Sequence, residues 1–340
     1  MLKFEPFAGS LDDWGNVLEQ FPDREIFQTP AWLRFLAESQ SAKPVIATLR
    51  HGTCIVGCFA GMIVHKLGFR ILGSPFVGWT TPCMGIRLRC EAPKCDALAA
   101  LASFAFRELR CSHIEFTSRA FSPADVSTLG FESFVQGGFE IDLRLDEAEL
   151  LSKMDSDRRR CIRKASKEGI VIEQASDAGF VDDYFAQLED VFAKKSLVPT
   201  YDKRRVRLLV SHLFPTGMLL LLRARDSQGR CIGTGIFPAM NRYMYFWGGA
   251  SWRQHNIQHP NESIQWYAMR YWKSRGIDFY DMCGGGEYKQ KYGGRRIQSH
   301  HFLKSKYSWL AMSRNLAFRA FKAKQRLLGW WQKSLPGEKE

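Results

Sequence analysis

Residues 280–294 read Tyr-Asp-Met-Cys-Gly-Gly-Gly-Glu-Tyr-Lys-Gln-Lys-Tyr-Gly-Gly. Three consecutive glycines, Gly284 to Gly286, follow an apolar stretch and let backbone amides approach a ligand closely. The cationic and aromatic residues after them, Tyr288, Lys289 and Tyr292, could hold a phosphate or a developing oxyanion. Groups nearby in the sequence that could act as a base are Asp281, Glu287, Glu262 and His255. Asp281 closes an apolar strand, where burial would raise its pKa; it could equally cap the glycine turn. A surface hairpin with solvated lysines is the competing reading of the whole segment.

The elements that must position this segment follow an order that occurs twice. In the first half, strands at 45–49 and 54–64 flank a turn at 51–53, a third strand spans 69–79, a helix runs over 93–110, and a strand closes at 113–117. In the second half, strands at 218–224 and 231–239 flank a turn at 226–229. A single strand at 243–250, a helix from Pro260 to about residue 274 and a strand at 277–282 complete it. The order predicts an α/β fold (α+β, with mixed sheets) in two tandem units, each with a helix crossing over between neighbouring strands. A 340-residue chain has the length for both.

Between the units, residues 150–169 read as one basic helix, with Asp155 and Asp157 near its start and Gly169 as its stop. Helical spacing puts Arg160, Arg163, Lys164 and Lys167 on one face, where they could meet a phosphate jointly or form a solvated cationic surface. The net charge of +13 points to anionic partners without choosing among cofactor phosphates, nucleic acid and an acidic membrane. Apolar content of 45% with 24% charged residues is that of a globular chain. The opening residues lack the pattern of a signal peptide, and no apolar run is long enough to span a bilayer, so a cytoplasmic protein is expected. The nine cysteines include no C-x-x-C pair, so neither a disulfide nor a metal site is expected. From Trp309 onward, arginines and lysines alternate with Leu, Phe and Trp. That pattern suits a basic amphipathic helix, either lying on the inner face of an anionic membrane or packed on the second unit.

The element order, the basic R-x-x-x-x-K-A-x-x-x-G segment from Arg160 to Gly169, the helix opening HPNESIQW and the ending YDMCGGGEYKQKYGG resemble tandem GNAT-fold acyltransferases. Within these the chain is similar to FemAB-like proteins and to the acetyltransferase domain of polysaccharide-associated proteins. The resemblance covers most of residues 25–305 and is strongest over 155–294. It implies a GNAT-like unit at 1–149 that is structural or binds the acceptor, a second at 150–308 that carries the reaction, and a tail at 309–340. It implies acyl transfer to an amine or hydroxyl of a small-molecule or lipid-linked envelope or polysaccharide precursor, with Lys289 and Tyr288 and Tyr292 near the acceptor. The donor is acyl-CoA, with acetyl-CoA foremost, or aminoacyl-tRNA as in FemAB proteins. The Q/R-x-x-G-x-G/A loop that holds the CoA pyrophosphate in many GNAT enzymes is missing from residues 253–262. Pro260 at a helix start still leaves amides free for an anion, which makes His259, Asn261 and Glu262 the cofactor-binding candidates. No G-x-S-x-G element is present and Cys283 has no evident histidine partner, so direct transfer in a ternary complex fits better than an acyl-enzyme. A nucleic-acid-binding protein and a noncatalytic envelope-assembly factor are the other classes compatible with the sequence.

Overall fold

The computed structural model describes residues 2–89, 92–193 and 197–312; the amphipathic segment expected from Trp309 onward lies outside the described residues beyond residue 312. The first half comprises β1 (Leu2–Pro6), α1 (Trp14–Glu19), α2 (Pro30–Gln40), β2 (Lys43–His51), β3 (Cys54–Lys66), β4 (Phe69–Ser74), β5 (Ile86–Leu88), α3 (Lys94–Ser103), β6 (His113–Ser118), α4 (Pro123–Val126) and β7 (Glu132–Asp142). The second comprises α5 (Glu147–Lys153), α6 (Ser156–Lys167), β8 (Val171–Gln174), α7 (Phe180–Ala193), α8 (Lys203–Leu213), β9 (Leu219–Arg225), β10 (Cys231–Met240), β11 (Tyr243–Tyr245), β12 (Gly248–Ser251), α9 (Pro260–Lys273), β13 (Phe279–Asp281) and β14 (Arg295–Ser305).

One continuous mixed sheet runs β1-β2-β3-β4-β6-β14-β7-β13-β11-β10-β9-β8, with β5 and β12 attached to β3 and β10. Its two parallel pairs, β4 with β6 and β11 with β13, are the ones bridged by a crossover helix, α3 and α9. At the centre the halves exchange strands. The last strand, β14, inserts antiparallel between β6 and β7, while β7 pairs with β13. The expected tandem α/β order is therefore present, and its two copies are joined through a shared strand pair.

Three apolar clusters hold this arrangement. One lies under α3 in the first half and one under α9 in the second. The third fills the space between the halves, where Trp32, Phe35 and Leu36 of α2 meet Val206, Leu209 and Leu213 of α8. Each such buried side chain contributes roughly 1.5–3 kcal/mol, so the junction is a core rather than a loose contact. On α9, Ile264, Ala268, Met269 and Trp272 recur at helical spacing and face inward. Their approach depends on β10: a Cβ at Gly233 would come within 2.9 Å of Pro260, and one at Gly235 within 2.7 Å of Ile264.

Four sequence expectations are corrected. The strand expected at 69–79 ends at Ser74, because Pro75 has no amide to donate to a ladder. The strand expected at 243–250 is broken into β11 and β12 at Phe246 and Trp247. The basic helix expected at 150–169 is two helices: Met154 adopts ψ 147°, and Asp155 starts the second one. Finally, β7 and β14 are long strands where none was expected; their partners lie far away in the chain, and β7 opens on a mostly exposed stretch.

Candidate active site

The break between β11 and β12 creates the site. The Phe246 amide still donates to the Asp281 carbonyl on β13 (3.0 Å), but the next amide, Trp247, donates to Ile236 on β10 (3.1 Å). Beyond its own end, β13 follows the other neighbour, with Met282 donating to Phe139 of β7 (2.9 Å). Two parallel strands thus diverge at their carboxyl ends, where ligands enter open α/β sheets. A cavity of about 470 Å³ occupies the wedge. Tyr245, Phe246 and Trp247 form one wall and Asp281 and Cys283 to Gly285 another, while Thr80 to Pro82 reach in from the first half.

The glycine turn is held in an unusual shape by its neighbours. Cys283 and Gly284 both take left-handed conformations, φ 52° and 65°, which is costly for cysteine and ordinary for glycine. Asp281 Oδ1 accepts from the Cys283 amide (2.7 Å), and Lys289 Nζ donates to the Cys283 carbonyl. The amides of Gly284 and Gly285 have no acceptor among the described residues. They sit on the cavity wall, so the turn presents two free N–H donors.

Asp281 fixes this turn and is itself held in place. It is 3% exposed and ion-paired with Arg119, which follows β6 of the first half and also reaches Glu140 of β7 (3.4 Å). Burial lifts the Asp281 pKa above the ordinary carboxylate value, against the pull of Arg119 and the Cys283 amide. Lys289 is 9% exposed, and burial lowers its pKa below that of a free lysine. Burial also pushes the Cys283 thiol well above its usual range, which leaves it protonated and a poor nucleophile.

A second polar tie crosses between the halves beneath the cavity. Glu25 accepts from the Tyr245 hydroxyl (2.8 Å) and from the Cys83 thiol (2.6 Å), and pairs with Arg87 (3.1 Å). Burial alone would raise the Glu25 carboxyl; Arg87, Arg119 and the two hydrogen bonds outweigh it and bring it below the ordinary value. Sequence reading missed Glu25, Arg87, Arg119 and Tyr245. None lies in a motif, and each finds a polar partner more than 50 residues away.

The remaining sequence candidates separate into two places. Tyr292, His259 and Glu262 gather where α6 meets the start of α9. There Arg158 pairs with Glu262 and lies 5.8 Å from the centre of the Tyr292 ring. Tyr292 is 3% exposed, and burial raises its phenol pKa. Asn261 donates to the Ser251 hydroxyl (2.7 Å), and Lys164 contacts the Ile257 carbonyl (3.4 Å) and Glu168 (3.5 Å). His259 precedes α9 in a left-handed conformation, with Pro260 as the first helical residue. Arg160, Arg163, Glu287 and Tyr288 are exposed. Arg160 pairs with Asp157 (3.0 Å) and Glu287 loosely with Arg296 (3.7 Å). Cys161, His259 and Glu262 have donor atoms within 4.8 Å of one another. Glu262 is already paired with a cation, Arg158.

Residues 152–292 match the family model described as acetyltransferase (GNAT) domain. FemX has a similar structure at a TM-score of 0.70 and 13% identity, over 87% of this chain and 96% of that one. A tandem GNAT protein from the clavulanic acid biosynthesis pathway gives 0.54 at 12% identity, over 90% and 98%. L-PGS from Bacillus licheniformis gives 0.54 at 11% identity, over 93% and 97%. No curated protein matches the sequence. Residues 152–292 therefore match a GNAT acetyltransferase domain, and the chain as a whole shares the fold of FemX and of the tandem GNAT protein.

Proposed function

We propose that the protein transfers an acyl group from acyl-CoA to an amine or hydroxyl of a cell-envelope or polysaccharide precursor, and that the reaction takes place in the wedge between β12 and β13. The observation that carries this reading is the pair of acceptor-free amides at Gly284 and Gly285, on a turn whose preceding carbonyl is held by a buried lysine. The acceptor atom bonds to the acyl carbon, charge gathers on the former carbonyl oxygen, the carbon–sulfur bond breaks, and the donor leaves as the thiol with the proton that the acceptor loses. The two amides are placed to take that charge. Lys289, bonded to the far end of the Cys283–Gly284 peptide, polarises it and makes its N–H a stronger donor. Asp281 acts through position: pinned by Arg119, it holds the Cys283 amide and so the turn.

The donor's phosphates fit the start of α9. The Asn261 and Glu262 amides have no acceptor among the described residues, and Arg158, Lys164 and the exposed Arg160 and Arg163 of α6 add positive charge. The four residues of β12, roughly 13 Å at 3.3 Å per residue, lead from there to the cavity. Tyr288 and Glu287 lie at the exposed rim, where the acceptor enters. The segment beyond residue 312, with its alternation of basic and apolar residues, is the part of the chain suited to contact an anionic membrane around a lipid-linked acceptor.

The test is a calorimetric titration of acetyl-CoA, longer acyl-CoAs and aminoacyl-tRNA into the full chain, with transfer to amine and hydroxyl acceptors assayed in parallel. Micromolar binding of an acyl-CoA, with transfer slowed by roughly 10²–10³-fold in Lys289→Ala but donor affinity kept, is expected. Binding of aminoacyl-tRNA alone would replace the donor and keep the site. Failure of every donor to bind would overturn the reading.

A further inference from the structure

Three arginines of the described chain are more than nine-tenths buried. Arg87 is paired with Glu25, and Arg223 is surrounded by Asp177, Asp183 and Glu173. Arg205, on α8 and 7% exposed, has no carboxylate within pairing distance among the described residues. The nearest one, Asp202 at the helix N-cap, accepts instead from the Arg205 backbone amide (2.9 Å). One terminal nitrogen of Arg205 donates to the Trp79 carbonyl and to the Thr80 hydroxyl (2.9 Å), and the buried Nε has no partner. The rings of Tyr201 and Phe35 lie 5.7 and 5.9 Å from the guanidinium, a packing that favours a cation without neutralising it. Burial draws its pKa down to about 10, which still leaves it charged at neutral pH.

Two hydrogen bonds to neutral acceptors do not require a charge; a glutamine could make them. Burying an unpaired cation costs several kcal/mol, so the retained charge calls for a partner that the described residues do not supply. Arg205 lines an open cleft of about 580 Å³ between α2, α7 and residues 198–202. This cleft backs onto the reaction cavity. Arg205 bonds to Thr80, and the Tyr201 ring stands 5.2 Å from that of Trp247, while Thr80 and Trp247 both line the cavity on the other side. Glu189 and Asp202 also line the cleft, so a bound anion is confined to the Arg205 end.

We infer that the Arg205 cleft binds an oxyanion of the acyl acceptor, a phosphate or a carboxylate, and anchors it behind the wall of the reaction cavity. The assignment of the ligand to the acceptor rests on the proposed function; the anion site itself does not. Both anions match the planar guanidinium fork, which distinguishes arginine from lysine at such a site.

Inorganic phosphate and acetate, titrated separately into the full chain by calorimetry, test it against Arg205→Lys, Arg205→Gln and Lys289→Ala. The expected order of affinity is wild type, then Arg205→Lys, then Arg205→Gln, with roughly a tenfold or greater loss in the last and no change in Lys289→Ala. Preference for phosphate or for acetate identifies the acceptor's anion. Circular dichroism checks folding; if Arg205→Gln does not fold, wild type against Arg205→Lys decides alone. Equal affinity across the Arg205 series, or no binding of either anion to the wild type, overturns the inference. Arg205-dependent anion binding in a protein with no acyl transfer would defeat the functional reading and leave the anion site standing. Transfer with Arg205-independent anion binding would do the reverse.

Discussion

The two halves of this chain place a parallel strand pair and a crossover helix in the same relation, yet treat the wedge between the strands differently. In the second half, β11 and β12 are separated by two residues, and the gap beside β13 stays open as the cavity. In the first half, residues 75–85 intervene between β4 and β5; their Gly85 end returns to Ser74, while Thr80 to Pro82 reach the cavity of the second half. Ser74 stitches that loop down, accepting from the Gly85 amide (2.8 Å) and donating to the Ala60 carbonyl (2.5 Å). The residue after the closing strand differs in the same sense. In the second half it leads to a turn with free amides. In the first half it is Arg119, whose charge is spent on Asp281 and Glu140 of neighbouring strands. One fold thus supports a wedge tied down by Ser74 and another that stays open as a cavity, and the difference lies in a loop length and a few polar side chains.

The largest expected effect comes from breaking the brace. Arg119→Ala leaves Asp281 buried and unpaired, which should cost about 3–5 kcal/mol, read as a lower denaturant midpoint. Adding Asp281→Asn should recover part of that stability without recovering activity, since the Cys283 amide would lose its carboxylate. A double mutant as unstable as Arg119→Ala alone would show that the pair is not what the brace consists of.

Next is the open wedge. Lys289→Ala should lower kcat by roughly 10²–10³-fold, the scale of one oxyanion donor, with acceptor affinity unchanged. Equal loss in kcat and in acceptor binding would instead place Lys289 on the substrate. Gly284→Ala asks the same question of the backbone. A Cβ there has room, its nearest neighbour being Lys289 Nζ at 3.8 Å, so the cost is the left-handed φ alone, about 1–2 kcal/mol, together with a loss of kcat as the amides turn away.

In the closed wedge, Ser74→Ala should cost about 1–3 kcal/mol for an orphaned buried amide and leave kcat per folded molecule unchanged. A kcat loss comparable to that of Gly284→Ala would erase the distinction between the halves.

The smallest expected effect is on pH. Burial depresses the Lys289 pKa, so its cation is lost at lower pH than that of a free lysine. Activity should therefore fall on an alkaline limb below the ordinary lysine value of about 10.5, and Lys289→Arg should move that limb upward. Stability runs the other way: the unfolded chain holds this proton more tightly, so this group's contribution improves as pH rises through its folded pKa. An alkaline limb that Lys289→Arg does not move would assign it to another group.

Much of the fold was legible in local sequence. The strand–turn–strand order, the alanine-rich helix before β6 and the Pro260 helix start are short-range patterns, and they were placed within a few residues of their observed bounds. The glycine run was likewise legible as a candidate site, and the folded chain sets Gly284 and Gly285 on the cavity wall. Three features were decided elsewhere. The break at Phe246 and Trp247 arises because neighbouring strands pull consecutive amides in two directions, which no periodicity in 243–250 records. The exchange of β7 and β14 is a pairing between distant parts of the chain. The role of Asp281 depends on Arg119, 162 residues away; a carboxylate free to accept a proton and one locked beneath a guanidinium share the same local sequence. Backbone propensity and side-chain chemistry act over a few residues and could be read directly. Burial, ion pairing and the pKa shifts that follow from them depend on which surfaces meet, and only the folded chain determines that.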